Sequence, residues 1–240
     1  MGMVDIHTHI LPGVDDGSKN VDMSLAMLRM ELEQGVDVVT LTPHFYRDKE
    51  EPAHFLKRRA AAYEKLTEEL EGRKASAPKL LLGAEVAWVP NMPQWPELDR
   101  LCINNSNYML LEMPFYTWNA GMLREIYELM EQGITPIFAH LERYVKHQKK
   151  EYIREIIGMG MPVQVSSAPM PHFFERRDIV KFLKRHQAHI MASDCHNITT
   201  RPPNLGMGMQ MVGKLLGEDA VDRLNRHADQ LIEHIIEDKI

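Results

Sequence analysis

The chain has 240 residues, of which 44% are hydrophobic and 26% are charged, and its formal net charge is -6. This composition is typical of a globular protein with a substantial core, and the acidic balance argues against nucleic acid as a partner. Two cysteines, no secretory leader and no apolar run of about 20 residues make us expect a cytoplasmic protein without a disulfide framework or membrane insertion.

Short apolar runs alternate with longer amphipathic segments along the chain. The first predicted helix begins at Asn20 or Asp22, runs to Gln34 and is followed by Gly35, which is a typical helix stop. Seven strands are predicted at 3–6, 36–41, 80–82, 108–111, 134–139, 162–165 and 189–192. The later predicted helices are 53–70, 120–132, 152–159, 173–186 and 220–237.

This alternation predicts an α/β fold with a parallel sheet, because parallel strands need crossover connections. No glycine-rich loop follows the first strand, so a doubly wound dinucleotide-binding sheet loses its main support. Seven strands within this length favour a closed or nearly closed (β/α)7 barrel instead. We expect residues 1–240 to form a single domain.

Residue types that bind metals follow six of the seven predicted strands. The C-terminal ends of barrel strands carry active sites, so these side chains are expected to meet at one end of the barrel. His7 and His9 are two residues apart on a strand, which places both imidazoles on one face, and Asp194 and His196 repeat that spacing. The other candidates at strand ends are His44, Glu85, Glu112 and His140.

Imidazole and carboxylate ligands without thiolates suit manganese, iron or zinc. These ligands exceed the needs of one ion, so we expect a cluster of two or three divalent ions. Asp15 or Asp16, in the loop after the first strand, could complete a coordination sphere. Arg143 and Arg201 follow ligand-bearing strands, where a guanidinium can bind phosphate through paired hydrogen bonds.

The segment DIHTHILPGVDDGS at 5–18 resembles the N-terminal signature of the CpsB/CapC-type tyrosine phosphatases, which belong to the polymerase and histidinol phosphatase (PHP) superfamily. Further segments resemble blocks of this family and occur in the family order. They are TPH at 42–44, GAE at 83–85, LEMP at 111–114, AHLERY at 139–144, SDCHN at 193–197 and RPP at 201–203.

The resemblance implies a distorted, TIM-barrel-like (β/α)7 fold with a trinuclear centre that is often active with manganese. It implies phosphate-binding, catalytic roles for Arg143 and Arg201. The substrate that it implies is a phosphotyrosine cluster on a bacterial tyrosine kinase that regulates capsule or exopolysaccharide export. The metal ligands that it implies are His7, His9, Asp16, His44, Glu85, Glu112, His140, Asp194 and His196.

On this hypothesis, a hydroxide held between the ions attacks phosphorus, and the arginines stabilise charge on the phosphate oxygens.

Three alternatives stay open. Cys195 and Arg201 fit the C-x5-R spacing of cysteine-dependent tyrosine phosphatases, although the residues between them include no glycine. A histidinol phosphatase or another small-molecule phosphomonoesterase of the superfamily would use the same metal ligands, and a non-catalytic metal-binding module would keep them without turnover.

Overall fold

The computed structural model describes residues 2–237, so Met1 and residues 238–240 of the expected domain lie outside the described residues. The strands are β1 (Met3–Thr8), β2 (Val36–Leu41), β3 (His44–Phe45), β4 (Lys79–Leu82), β5 (Glu85–Ala87), β6 (Tyr108–Glu112), β7 (Thr135–Phe138), β8 (Gln164–Ser166) and β9 (Ile190–Ala192). The α-helices are α1 (Val21–Glu33), α2 (Pro52–Gly72), α3 (Ala120–Glu131), α4 (Lys150–Gly158), α5 (Arg176–Lys184), α6 (Leu205–Leu216) and α7 (Glu218–Glu237).

Parallel pairing arranges the strands in three hydrogen-bonded groups. The groups are β1-β2-β4, β3-β5-β6-β7 and β8-β9. The first two groups are continuous, because Gly83 N donates to Leu41 O over 2.9 Å and Glu85 N donates to Pro43 O over 3.1 Å. The segment from β2 to β3 therefore occupies one strand position of the sheet, and the segment from β4 to β5 occupies the next.

Further hydrogen bonds join these groups into a ring. Phe138 N donates to Pro162 O over 2.8 Å, which connects β7 to the residues that lead into β8. Asp194 N donates to His7 O over 2.9 Å, and His9 N donates to Cys195 O over 2.9 Å, which connects the end of β9 to β1. The result is a distorted barrel with seven strand positions, and the predicted α/β barrel is confirmed.

Side chains alternate between a core inside the ring and a core between the ring and its helices, as the two-residue period of a strand requires. Leu110 of β6 and Ile137 of β7 belong to the inner cluster, which also draws on β1, β2, β4 and β9 and on Leu231 of α7. Their neighbours Met109 and Leu111 belong to the outer cluster with the helices. The apolar interior leaves polar side chains to gather at the strand ends.

Helix α6 was missed by the sequence analysis. Three glycines within it lower the helix propensity by about 1 kcal/mol each relative to alanine, which conceals the helix. Packing explains two of them: a Cβ at Gly208 would lie 2.5 Å from Cβ of Ser167, and a Cβ at Gly206 would lie 3.0 Å from Cβ of Gln34. Close approach of α6 to Ser167, after β8, therefore excludes a side chain at Gly208, and its approach to Gln34, after α1, leaves little room for one at Gly206.

Other predicted boundaries differ from the structure by a few residues. The helix predicted over 173–186 spans only Arg176–Lys184, and the helix predicted from residue 152 begins at Lys150. Among residues 2–237, no helix combines the length and the apolar character needed to cross a bilayer.

Candidate metal centre

The two imidazoles at the end of β1 face the same space, as the strand period predicts. Nε2 of His7 lies 3.1 Å from Nε2 of His9, and both side chains are completely buried. Oε2 of Glu85 lies 3.2 Å from Nε2 of His7 and 3.3 Å from Nε2 of His9. The ring nitrogens and this carboxylate oxygen therefore converge on one small volume.

Glu85 is the centre of the site. Its Oε2 also lies 2.9 Å from Nδ1 of His44, and its Oε1 lies 2.9 Å from Nε2 of His140. Four imidazoles thus surround one buried carboxylate. Glu112 lies beside this group, with Oε2 3.9 Å from Nδ1 of His44 and Oε1 3.6 Å from Nε2 of His140.

The segment after β9 reaches the site through a turn rather than along a strand. The strand ends at Ala192 and Asp194 has a left-handed φ of 52°, so the strand geometry predicted for Asp194 and His196 is wrong. The turn still brings Oδ1 of Asp194 to 3.4 Å from Nε2 of His9. His196 instead turns its Nε2 toward Asp16, whose Oδ1 is 3.5 Å away.

The predicted ligands form three groups in which the possible ligand atoms lie within 4.8 Å of one another. The groups share members, so that neighbouring ions could share ligands. They are His9 with Asp16, His44 and His196, then His7 with His9 and Glu85, and finally His44 with Glu85 and Glu112. His140 and Asp194 contact Glu85 and His9 at the edges of these groups.

The donor set fits divalent ions. Among the described residues, the buried atoms without a hydrogen-bond partner include Oε2 of Glu85, Nδ1 of His44 and Nε2 of His196. Buried polar atoms are almost always hydrogen-bonded, so orphaned atoms that face one another indicate a missing ligand. Nitrogen and oxygen donors without thiolate suit manganese, iron or zinc.

The imidazoles and carboxylates of the site shift one another's pKa values. Burial would raise the pKa of Glu85, but the neighbouring His7 and His44 outweigh it and hold this pKa well below its usual value. Burial would lower the pKa of His9, but Asp15, Asp194 and Glu85 raise it well above its usual value. Imidazole and carboxylate groups of the site thus stabilise each other's charged forms.

The pKa values of three other candidate ligands are shifted in the direction that favours the neutral side chain. Burial and the nearby Arg143 lower the pKa of His140 to about 4, and burial and the neighbouring His9 lower that of His196 to about 3. Both imidazoles are therefore neutral at neutral pH, which is the form that binds metals. Burial and the neighbouring Glu85 raise the pKa of Glu112 to about 7.

Asp15 and Gln164 contact candidate ligands through hydrogen bonds. From the sequence, Asp15 is an alternative ligand to Asp16; in the structure its Oδ2 lies 2.6 Å from Nδ1 of His9 and accepts a hydrogen bond from His44 N over 2.9 Å. Gln164 was not predicted to take part. Its Oε1 accepts a hydrogen bond from His140 N over 2.7 Å.

Both predicted phosphate-binding arginines reach the site. Arg201 donates to Oδ1 of Asp194 over 2.8 Å, and Arg143 donates to Oδ2 of the same carboxylate. Their side chains are 38% and 35% exposed, whereas Asp194 is 3% exposed. The two guanidinium groups therefore lie between the buried candidate ligands and the solvent.

Cys195 does not have the surroundings of a nucleophile. Its side chain is completely buried, and its Sγ lies 3.7 Å from Oε1 of Glu31. Burial and the carboxyl groups of Glu31 and Asp5 raise the pKa of the thiol well above its usual value. Reactive cysteines need the opposite, a lowered pKa and access to substrate, so the C-x5-R alternative loses support.

Aromatic side chains pack against two of the candidate metal ligands. The Tyr46 ring stacks on that of His44 at a centroid distance of 5.1 Å. Tyr144 packs beside His140 at 5.6 Å, and Phe115, which is 47% exposed, stacks on Tyr144 at 5.2 Å. Aromatic rings therefore lie directly beside His44 and His140, and Phe115 extends this group of rings to the solvent.

The chain is similar in sequence to one protein family and to several proteins named tyrosine-protein phosphatases. The family model described as capsular polysaccharide synthesis, CpsB/CapC, matches residues 3–233. The tyrosine-protein phosphatase CpsB of Streptococcus pneumoniae is 32% identical over 231 residues, which cover 90% of this chain and 91% of that protein. The tyrosine-protein phosphatase YwqE of Bacillus subtilis strain 168 is 26% identical over 242 residues, which cover 97% of this chain and 92% of that protein.

Among solved structures, the fold is similar to a chain from the crystal structures of YwqE from Bacillus subtilis and CpsB from Streptococcus pneumoniae. Those two proteins are described as unique metal-dependent tyrosine phosphatases. The TM-score is 0.81 at 26% sequence identity, and the match covers 97% of this chain and 95% of that chain. The likeness therefore extends over almost the whole chain.

Proposed function

The chain belongs to the CpsB/CapC family of capsular polysaccharide synthesis, and on that premise we propose that it is a metal-dependent protein-tyrosine phosphatase. The observation that carries the proposal is the convergence of four imidazoles on the buried carboxylate of Glu85, with Arg143 and Arg201 at the opening. That combination has ligands for several ions and cationic groups for phosphate.

The proposed ligands are the nine that the sequence analysis names. Bound divalent ions would lower the pKa of water to about 7 and so supply a nucleophile for phosphorus at neutral pH. We propose two or three ions and manganese as the metal, with iron or zinc as substitutes. The ligands are His7, His9, Asp16, His44, Glu85, Glu112, His140, Asp194 and His196.

Arg143 and Arg201 would bind the phosphate and stabilise the negative charge that develops on its oxygens. Both donate to Asp194 and are themselves partly exposed, so they lie on the side of the centre that faces solvent. A tyrosine leaving group has a pKa of about 10 and departs more readily than an alkoxide. The site therefore has less need of a general acid for phosphotyrosine than for phosphoserine.

We propose a cytoplasmic location and, as substrate, a phosphotyrosine segment of a bacterial tyrosine kinase of capsule or exopolysaccharide biosynthesis. The family description, which names capsular polysaccharide synthesis, and the relatives named tyrosine-protein phosphatases support this assignment. The rings of Tyr46 and Phe115 beside the metal centre support an aromatic substrate. We further propose that residues 1–240 act as one domain.

The test is substrate preference of the manganese-loaded protein. Release of phosphate from a phosphotyrosine peptide is compared with release from the matching phosphoserine peptide and from histidinol phosphate. The proposal expects the highest kcat/KM for phosphotyrosine. A preference for histidinol phosphate would transfer the protein to small-molecule metabolism, and no turnover of any of the three would indicate a non-catalytic metal-binding module.

A further inference from the structure

His7 and His9 each turn Nε2 toward Glu85, and the other ring nitrogen, Nδ1, of each imidazole contacts a chemically different group. Nδ1 of His9 lies 2.6 Å from Oδ2 of Asp15, whose side chain is 5% exposed. Nδ1 of His7 lies 3.3 Å from Oε1 of Gln164, which is completely buried. One imidazole therefore has a carboxylate partner and the other a neutral amide partner.

Each of these partners also fixes a second histidine through its backbone. Oδ2 of Asp15 accepts a hydrogen bond from His44 N over 2.9 Å, and Oε1 of Gln164 accepts one from His140 N over 2.7 Å. The second bond of Gln164 holds a strained residue, because His140 has a left-handed φ of 32°. Asp15 thus organises His9 and His44, whereas Gln164 organises His7 and His140.

These hydrogen bonds decide which ring nitrogen faces the centre. An ionised carboxylate can only accept, so Nδ1 of His9 must donate to Asp15. The backbone N–H of His140 must likewise find an oxygen, which identifies the accepting atom of Gln164 and makes Nδ1 of His7 a donor to it. Both imidazoles are left to bind an ion through Nε2, the atom that faces Glu85.

We propose that Asp15 and Gln164 are positioning residues that set the affinities of different ions in the centre. A carboxylate behind a ligating imidazole raises its electron density and its strength as a ligand, and an amide does so less. Asp15 acts on the group of His9, Asp16, His44 and His196, two of whose members it holds. Gln164 acts on the ligands around Glu85, through His7 and His140.

A reciprocal exchange of charge tests this. Asp15→Asn keeps the shape and removes the charge behind His9, and Gln164→Glu adds a charge behind His7. Binding of Mn²⁺ alone to the full chain is measured by competition with a fluorescent chelator and by metal analysis after dialysis. Asp222→Asn and Gln210→Glu make the same chemical changes at exposed positions of α7 and α6 and are the matched controls.

We expect Asp15→Asn to weaken the binding of one Mn²⁺ by about 10- to 100-fold and Gln164→Glu to tighten the binding of another by a similar factor, with the controls unchanged. A purely structural role would weaken binding in both variants. Unchanged affinities, or shifts in the same direction, would overturn the proposal. If Asp15→Asn fails to fold by circular dichroism, Gln164→Glu decides alone, because only the proposal predicts tighter binding.

The inference rests on the metal centre of the proposed function and not on its substrate. Opposite shifts in Mn²⁺ affinity in a protein that hydrolyses no phosphotyrosine would support the inference and refute the phosphatase. Full phosphotyrosine hydrolysis with unchanged affinities in both variants would do the reverse. The two failures are therefore distinguishable.

Discussion

The guanidinium of Arg201 donates a hydrogen bond of 2.8 Å to Oδ1 of Asp194, so a proposed phosphate-binding group is held by a proposed metal ligand. The same carboxylate oxygen lies 3.4 Å from Nε2 of His9. The arginine is therefore positioned by the metal centre itself. Ions that share the charge of Asp194 would leave the guanidinium available to a phosphate oxygen.

Arg143→Ala and Arg201→Ala are each expected to lower kcat/KM for a phosphotyrosine peptide by about 100-fold, because each removes a charged donor from the developing negative charge. Bound manganese should stay near its original content, since the ligands are intact. Arg124→Ala is the control, because Arg124 is 76% exposed and pairs with Glu128 at 3.5 Å on the same helix. Undiminished kcat/KM in both arginine variants would contradict the phosphate-binding role.

Manganese affinity is expected to rise with pH between about 5 and 8. Burial and the neighbouring Glu85 raise the pKa of Glu112 to about 7, so below that pH a bound proton must leave before Glu112 can bind an ion. His9, whose pKa is also raised, adds a second competing proton. Affinity therefore falls as the pH falls.

Glu112→Gln removes one of these protons and should flatten the dependence of log affinity on pH below about 7, while weakening binding overall. The measurement is competition with a chelator of known pH dependence, at a series of pH values. A variant whose slope equals that of the original protein would show that Glu112 is not the group that titrates.

Cys195→Ser is expected to leave kcat/KM within about twofold of the original value, because the thiol is buried and its raised pKa keeps it protonated. Treatment of the native protein with iodoacetamide should likewise leave activity intact. Steady-state kinetics on phosphotyrosine peptide provide the measurement. Loss of activity in a folded, metal-loaded Cys195→Ser protein would revive the cysteine mechanism.

Gly208→Ala is expected to lower the free energy of unfolding by about 1–3 kcal/mol, because its Cβ would lie 2.5 Å from Cβ of Ser167. Gly158→Ala is the matched control, since a Cβ there meets nothing within 4 Å. The control should be neutral or stabilising by up to about 1 kcal/mol. Urea unfolding of the two variants separates them, and equal stabilities would refute the close approach of α6 to the barrel.

Much of the site could be predicted because barrel strands bring their C-terminal ends together. The spacing of His7 and His9 and the two-residue period of a strand are enough to place both imidazoles on one face. Residues after other strands, such as Glu85 and His140, then reach the same volume. No pairing of individual atoms needs to be known for that conclusion.

The parts that could not be predicted depend on contacts between distant segments. Gln164 lies on the one predicted strand to which no ligand was assigned, and only the folded chain shows its oxygen beside His7 and His140. The left-handed turn at Asp194 follows from hydrogen bonds to β1, not from its own sequence. Two glycines of α6 likewise have a reason only in tertiary packing, of Gly208 against Ser167 and of Gly206 against Gln34.

The central claim is that phosphotyrosine hydrolysis depends on metal ions held by the cluster around Glu85. The most direct measurement is the rate of phosphate release from a phosphotyrosine peptide before chelation, after removal of metal, and after addition of Mn²⁺, with Glu85→Gln in parallel. The account predicts that activity is lost on chelation, returns with Mn²⁺, and does not return in Glu85→Gln. Hydrolysis that continues at full rate in metal-free protein would contradict it.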